Sequence, residues 1–255
     1  MDFMKRWRAT NVYIVMIAAL VVIAAYSLYT FGLGNLPQMF AIILISAVLD
    51  AAIIRIKDKR LVLPKSAIIT GLILSLIVQG DLFLVVFVPV IAILSKHVIK
   101  IHGRHLFNPA NFGLLVGLFL PVSESWWGTS NIILVGVLGI IIIHKLRKMR
   151  QAFAFLVLHA VLIAIYFSMN GGVEQTVGHM ISGLVLFFAF YMLIEPVTSP
   201  VNAKGRTIFG LLVGVLGALS YVFWLPAMLV GSLFFADILV PILNRLSKPK
   251  IIKSI

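Results

Sequence analysis

Two polar runs interrupt an otherwise oily chain, and each carries side chains able to hold a ligand. The first, residues 96–117 (KHVIKIHGRHLFNPANFGLLVG), contains Lys96, three of the six histidines (His97, His102, His105), and then Asn108, Pro109, Ala110 and Asn111. The second, residues 195–206 (EPVTSPVNAKGR), offers Glu195, Thr198, Ser199 and Arg206, and it too leads into FGLLVG. Pro109 drives Asn108 out of the helical region and is preorganised for the first helical position. Asn108 is therefore expected to be an N-cap, its side-chain oxygen meeting free backbone N–H groups, with Asn111 one turn on. Amide donors and acceptors beside a positive helix N-terminus suit a heteroaromatic ring rich in carbonyls and ring nitrogens, or an anion. A plain cap with no ligand satisfies the same residues, and at this level both readings stand. In the second run Pro196 ends a helix after Glu195, Thr198 and Ser199 present hydroxyls, and Gly205-Arg206 opens the next apolar stretch. Glu195 is expected to pair with Lys96 or Arg206. Two caps at one membrane depth would enclose one ligand.

Ionisable groups within apolar stretches are costly and raise functional hypotheses. Asp237, near the middle of the last stretch, reads either as a cation or proton relay or as a protonated carboxyl bonded to a neighbouring helix. Asp50, close to Arg55, reads as an interfacial pair, with an ion-pathway role as the alternative. His159 reads as a packing residue without a partner at its depth, since His97 and His144 fall at one edge and His179 at the other. A b-type haem would need two facing histidines. His97, His102 and His105 lie among three cations with no acid nearby, so a solvated basic face is expected and no metal. The nine methionines are scattered and read as packing. The chain has no cysteine, which excludes disulfides and iron–sulfur ligation by it.

These residues must be positioned by membrane helices. The chain is 62% hydrophobic and 11% charged, against about 25% charged in soluble domains. A span needs about 20 apolar residues, and ten segments fit: roughly 11–31, 36–55, 66–80, 82–98, 108–122, 130–145, 151–169, 176–194, 206–222 and 225–245. The first lacks a small-residue cleavage site and reads as a retained helix. Those at 66–80 and 108–122 are short and read as broken or re-entrant, which is tolerated where backbone lines a protein cavity. Pro89 and Pro241 fall inside spans, where kinks are expected. With ten crossings, all 21 basic residues fall on one side, and the opposite loops hold Asp81, Glu124 and Glu174. The positive-inside rule then places both termini and both polar runs in the cytoplasm. The net charge of +13 is accordingly read as loops facing anionic lipid, not as a nucleic-acid surface. Trp126, Trp127, Tyr221 and Trp224 are expected in an outer aromatic belt. ITGLILS (69–75) resembles ISGLVLF (181–187), and FGLLVG recurs at 112–117 and 209–214. The two matches demand different registers, so an inverted repeat is suggested without being fixed. The expected fold is a single all-α integral membrane domain over 1–255, of about ten helices, with halves of approximately 1–125 and 126–255.

The ordered set of Lys96, Phe107-Asn108-Pro109-Ala110, Asn111, Gly113, Glu195-Pro196-Val197-Thr198-Ser199-Pro200, Gly205-Arg206 and Phe209-Gly210 resembles the RnfD/NqrB family. These are membrane subunits of Rnf and Na⁺-pumping NADH:quinone oxidoreductase complexes. The run from Asp237 through Pro241 to Arg245 also looks like that family's last helix, and the likeness extends over nearly the whole chain. It implies a ten-helix plan of two five-helix inverted repeats. It also implies riboflavin or FMN held noncovalently near Asn108 and Asn111, electron transfer with partner membrane subunits or quinone, and coupling to Na⁺ or H⁺ movement. Within that resemblance Asn108 and Asn111 would hold the ring edge, with Pro109 opening the helix between them. Lys96 and Arg206 would stabilise a reduced anionic ring, Thr198 and Ser199 would bond the ring or its side chain, and Glu195 would orient a cation. The family also esterifies FMN to a threonine of a Ser-Gly-Ala-Thr motif in the outer loop after the fifth span. That loop here is VSESWWGTSN, residues 122–131, without the motif, so covalent FMN is not expected. A small-solute or flavin transporter and a cofactor-free assembly subunit are the alternatives.

Overall fold

A computed structural model describes residues 10–170, 173–223 and 228–246. Asn11 caps the first helix, α1 (Val12–Phe31), by accepting a hydrogen bond from the Tyr13 N–H. A short 3-10 turn leads into α2 (Leu36–Asp58), which has Pro37 in its first turn. Then come α3 (Lys65–Ile77), strand β1 (Val78–Gly80), the single turn α4 (Leu82–Val85) and α5 (Phe87–Val98). Pro89 sits in the first turn of α5, where its missing N–H breaks no helical bond. Strands β2 (Lys100–Ile101) and β3 (Arg104–His105) form a hairpin ahead of α6 (Pro109–Gly117). Strand β4 (Val122–Glu124) and a 3-10 turn, Trp127–Thr129, lead to α7 (Ile132–Lys145) and α8 (Met149–Asn170). The remainder is α9 (Val173–Met180), α10 (Gly183–Phe187) continuing into a π-helical stretch (Phe188–Met192), α11 (Ala203–Val222) and α12 (Met228–Leu246).

Five described helices are long and apolar enough to cross a membrane: α1, Leu33–Asp58, α8, Ala203–Ser220 and Leu229–Leu246. A sixth crossing results if the bent pair Glu174–Met180 and Gly183–Met192 counts as one. The protein is therefore a multi-pass membrane protein, but helix length does not yield the expected ten crossings. The shortfall is physical. At ~1.5 Å per residue, the 13 residues of α3 reach ~20 Å and the nine of α6 ~14 Å, against a hydrocarbon core of about 30 Å.

Extended backbone continues both short helices, which departs from an all-α expectation. Past α3, β1 pairs antiparallel with β4 beyond α6, Val78 opposite Glu124. The Ser125 and Trp126 N–H groups both donate to the Ile77 carbonyl. Backbone away from water must be satisfied internally, and this pairing does so. It also buries Trp126 and Trp127, which are 9% and 7% exposed; the Trp127 indole donates to the Ser75 carbonyl at 2.9 Å. These two tryptophans are core residues and not part of an outer belt. The side chain of Tyr221, and Trp224, fall outside the described residues. The long helices turn Phe40, Val48, Val157, Ile165 and Phe235 outward, as a lipid-facing surface requires.

Candidate functional site

Asn108 is the N-cap of α6, its Oδ1 accepting from the Asn111 N–H at 3.2 Å. Its own backbone N–H donates to Asp237 Oδ2 at 2.9 Å, and its Nδ2 donates to the Met192 carbonyl at 2.8 Å. Asn111 Nδ2 donates to the Val230 carbonyl at 2.9 Å. The start of α6 is thus tied to the π-helical stretch and to two turns of α12. Widened π turns are found mostly at functional sites. Here the side-chain amides of Asn108 and Gln151 meet the carbonyls of Met192 and Leu193 where the stretch ends. Three acceptors remain in this buried seam, Asn111 Oδ1, Gln151 Oε1 and Asp237 Oδ1, each without a hydrogen-bond partner. Buried polar atoms are normally paired, so the seam can take up a proton or a small cation.

Facing this cap is the loop after the π-helical stretch. Asn108, Pro109 and Ala110 line one wall of a narrow cleft, and Glu195, Pro196 and Val197 another, with Tyr13 and Tyr191 between them. Its cavity volume is about 60 Å³. A water needs roughly 10–15 Å³ on that measure, so the closed cleft holds a handful of waters. The lining is mostly apolar with a few polar groups, among them Ser66, Thr70, Asn108 and Glu195, the usual make-up of a ligand site.

The expected ion pairs are re-partnered. Glu195 meets neither Lys96 nor Arg206; its Oε1 lies 3.0 Å from His105 Nε2, and Thr198 donates to Oε2 at 3.5 Å. Lys96 instead donates to both oxygens of Asp50, at 3.0 and 3.1 Å, and His97 Nε2 is 2.6 Å from Oδ1. Asp50 is 1% exposed, so it forms a buried triad and not an interfacial pair with Arg55, which donates to the Lys59 carbonyl. Arg206 spends its guanidinium on the carbonyls of Pro200, Arg147 and Val201. Ser199 is held by Gln151 Nε2 at 3.0 Å and donates to the Glu195 carbonyl. Of the eight residues expected around a ligand, the structure brings Asn108, Pro109 and Glu195 to the cleft. Asn111 lies beneath it, fully buried, and Lys96, Thr198, Ser199 and Arg206 are not among the lining residues.

His159 does have a partner: its Nε2 lies 3.1 Å from His179 Nε2. α9 packs back along α8, which linear depth could not anticipate. The three histidines of the first run are divided between Asp50, the hairpin turn and Glu195, and among the described residues no group of three His, Asp or Glu could hold a metal ion.

Sequence reasoning missed Gln151 and Lys148. A neutral polar residue one turn inside an apolar helix was the available signal for Gln151. Lys148 is 3% exposed and has no hydrogen-bond partner for its amine among the described residues. Burial above all, then the nearby Arg206, push that amine from 10.5 down to about 7, against a smaller opposing pull from Glu195. The unfolded chain therefore binds more protons than the folded one between about pH 7 and about pH 10.5, and stability rises with pH across that window. Below it both states are protonated and the full cost of burying the charge stands. Lys148→Met is expected to raise stability at neutral pH by about 1–3 kcal/mol, the range for relieving an unsatisfied buried polar group. The gain should shrink toward the alkaline end. Thermal melts of both proteins at several pH values check this; a gain independent of pH would show that the folded amine is solvated and keeps its ordinary proton affinity.

Short broken helices, a polar seam between them and a cleft beside the seam define a polytopic membrane protein with a buried polar centre. The model of the NQR2, RnfD, RnfE family matches residues 3–128 and 114–253, and the chain belongs to that family. Among its relatives is a subunit of the ion-translocating oxidoreductase complex of Actinobacillus succinogenes, 30% identical over 139 residues, which are 52% of this chain and 39% of that protein. The subunit of the same name from Escherichia fergusonii is 23% identical over 332 aligned positions, covering 93% of this chain and 92% of the relative. A subunit of the proton-translocating ferredoxin:NAD(+) oxidoreductase complex of Clostridium ljungdahlii is 23% identical, covering 91% and 88%. An alignment of 332 positions exceeds the 255 residues of this chain, so the relative from Escherichia fergusonii carries insertions.

Proposed function

We propose that this chain is the RnfD-type membrane subunit of an ion-translocating electron-transfer complex, holding one noncovalent flavin in the cleft between Asn108 and Glu195. In this reading ten segments cross or enter the bilayer as two inverted halves, with both termini and the cleft on the cytoplasmic side, and electrons pass to partner subunits or quinone. The observation that carries it is the cleft itself: the capped, positive N-terminus of α6 faces the 195–199 loop across a mostly apolar slot. The lining chemistry suits a planar ring with a polar edge, and the slot must widen to admit one. When bound, a flavin supplies the electron-carrying chemistry; the protein supplies position and polarity. Pro109 and Ala110 present the first turn of α6, and Glu195 sets the charge at the rim. Thr129 is 4% exposed and donates its hydroxyl to the Trp126 carbonyl at 2.8 Å, which supports noncovalent binding over an ester at that residue.

Visible absorption of the purified protein, followed by denaturation and separation, tests this. Released yellow flavin supports it; colourless protein after incubation with riboflavin and FMN sinks it. Asn108→Ala should abolish flavin retention and cost about 1–3 kcal/mol, through the lost cap and the orphaned Met192 carbonyl. Full flavin occupancy in that variant would overturn the site. The amides of Asn108 and Asn111 are both engaged within the fold, and this specifically favours the second reading, a cofactor-free assembly subunit; colourless protein bound tightly to other subunits would decide for it.

The same seam supports coupling at Asp237. Asp237→Asn keeps an oxygen for the Asn108 N–H but cannot carry charge. It is expected to fold while lowering ion-coupled turnover of the assembled complex at least about tenfold, the typical size of losing a general acid–base or charged group being about 10²–10⁴. Undiminished coupling would remove Asp237 from the ion path. Asp50 is a weaker candidate, because Lys96 and His97 already answer its charge.

A further inference from the structure

A second, larger basin opens beside the cleft on the side of the basic loops, with a volume of about 460 Å³. Three separate segments build it: the β2–β3 hairpin, the loop at Val197 and Thr198, and the last turns of α12. The hairpin turn is tight, with His102 and Gly103 both left-handed at φ 52° and 79°, the geometry of a two-residue type I′ turn. It sets Arg104 opposite Ile101 on the basin wall. From α12, Arg245 and Asn244 project to the other wall. Asn244 Oδ1 accepts from the Val201 N–H at 2.9 Å, which fixes the amide so that its NH₂ is the end left to donate. His102, His105 and Thr198 complete the polar lining, and no carboxylate belongs to it. The nearby Glu195 is answered by His105 and Thr198 and lines the other cleft. Arg104 and Arg245 have no acidic partner among the described residues.

We propose that this basin binds a phosphate-bearing anion, with Arg104 and Arg245 as its clamps and the Asn244 amide as a further donor. A wall of donors with two unpaired guanidiniums matches phosphate oxygens, which arginine recognises with paired, charge-assisted hydrogen bonds. The volume is that of an organic ligand site, roughly 300–1,000 Å³, and exceeds what a bare inorganic ion fills. Exposed apolar residues adjoin the lining: Ile101 within it, Val201 bonded to Asn244, and Leu246 next to Arg245, so a lipid headgroup is as fitting an occupant as a soluble phosphate ester. This assignment does not depend on a flavin in the cleft.

The test is binding to the full chain in a zwitterionic detergent, followed by calorimetry and by the shift in melting temperature. The probes are inorganic phosphate, glycerol phosphate and a short-chain phosphatidylglycerol, each against chloride at equal ionic strength. Arg104→Gln/Arg245→Gln is compared with Lys57→Gln/Lys59→Gln, a charge-matched change on a distant loop. Saturable binding weakened at least tenfold by the first pair and unchanged by the second is expected. Binding of the soluble phosphates identifies a soluble ester as the source, and binding of phosphatidylglycerol alone identifies lipid; both support the site. Equal weakening by the two pairs would show a diffuse basic surface, and no saturable binding of any probe would show an empty basin; either overturns the proposal. Melting of each variant without probe verifies that it is folded.

Discussion

Asp50→Ala is expected to destabilise the protein by about 3–5 kcal/mol, the usual cost of removing one partner of a buried ion pair. The carboxylate is 1% exposed and the Lys96 side chain 14%, so little water is at hand to replace it. Its loss leaves an ammonium and an imidazole facing each other between α2 and α5. The size of the effect comes from the stranded charges and not from the intrinsic strength of the pair. Removing both charges together, as Asp50→Leu/Lys96→Met, is accordingly expected to recover most of the loss, because apolar replacements of buried pairs are often neutral. Melting temperatures of the single and double variants in detergent decide it. A single variant as stable as the parent would mean that the triad is hydrated.

Gly183→Ala is expected to prevent accumulation of folded protein, or to cost more than about 4 kcal/mol, a value reached by few single substitutions. A Cβ at Gly183 would lie 1.7 Å from the Thr129 carbonyl oxygen and 2.7 Å from its carbon. Both obstacles are backbone, so no rotamer relieves them. The first turn of α10 would have to leave the 3-10 turn at Trp127–Thr129, taking with it the Ser182 cap and the stacked Phe187 and Tyr191 rings. Gly178→Ala is the control. Nothing lies within 4 Å of its added Cβ, and a helical glycine changed to alanine there should be neutral or gain about 0.5–1 kcal/mol. Comparable yields of the two variants would mean that the contact at Thr129 yields at little cost.

Local chemistry is legible in the sequence; distant partnership is not. The Asn108 cap, the shortness of the stretches at 66–80 and 108–122 and a helix end ahead of Pro196 follow from proline placement, polarity and stretch length, all short-range. The choice of Asp50 for Lys96, of His105 for Glu195 and of His179 for His159 depends on how helices far apart in the chain lie against one another. The β2–β3 hairpin turns His105 back toward the 195–199 loop, and α9 lies back along α8 with His179 against His159; neither pairing has a periodicity that announces it. Trp126 and Trp127 escape the aromatic-belt rule for a related reason. That rule holds for lipid-facing helix ends, and their loop folds inward to pair with β1. Hydropathy also measures oiliness and not whether an oily segment stays helical for its whole length, which the stretches around α3 and α6 do not.

The π-helical stretch before Glu195 makes the site sensitive to the count of residues as well as to their kinds. A π turn houses one residue more than an ordinary turn of 3.6 residues. Removing one residue between Phe188 and Met192 lets the stretch close as ordinary helix with the phase beyond it largely kept, whereas adding one leaves no turn to absorb it and rotates everything beyond by about 100°. The carbonyls of Met192 and Leu193 would then swing away from Asn108 and Gln151, and the carboxylate of Glu195 away from His105. Every amino acid of both polar runs would still be present and in order. Single-residue insertions in this stretch should therefore dismantle the cleft more thoroughly than deletions or most substitutions, because the phase of a helix, not any one side chain, brings its two walls together.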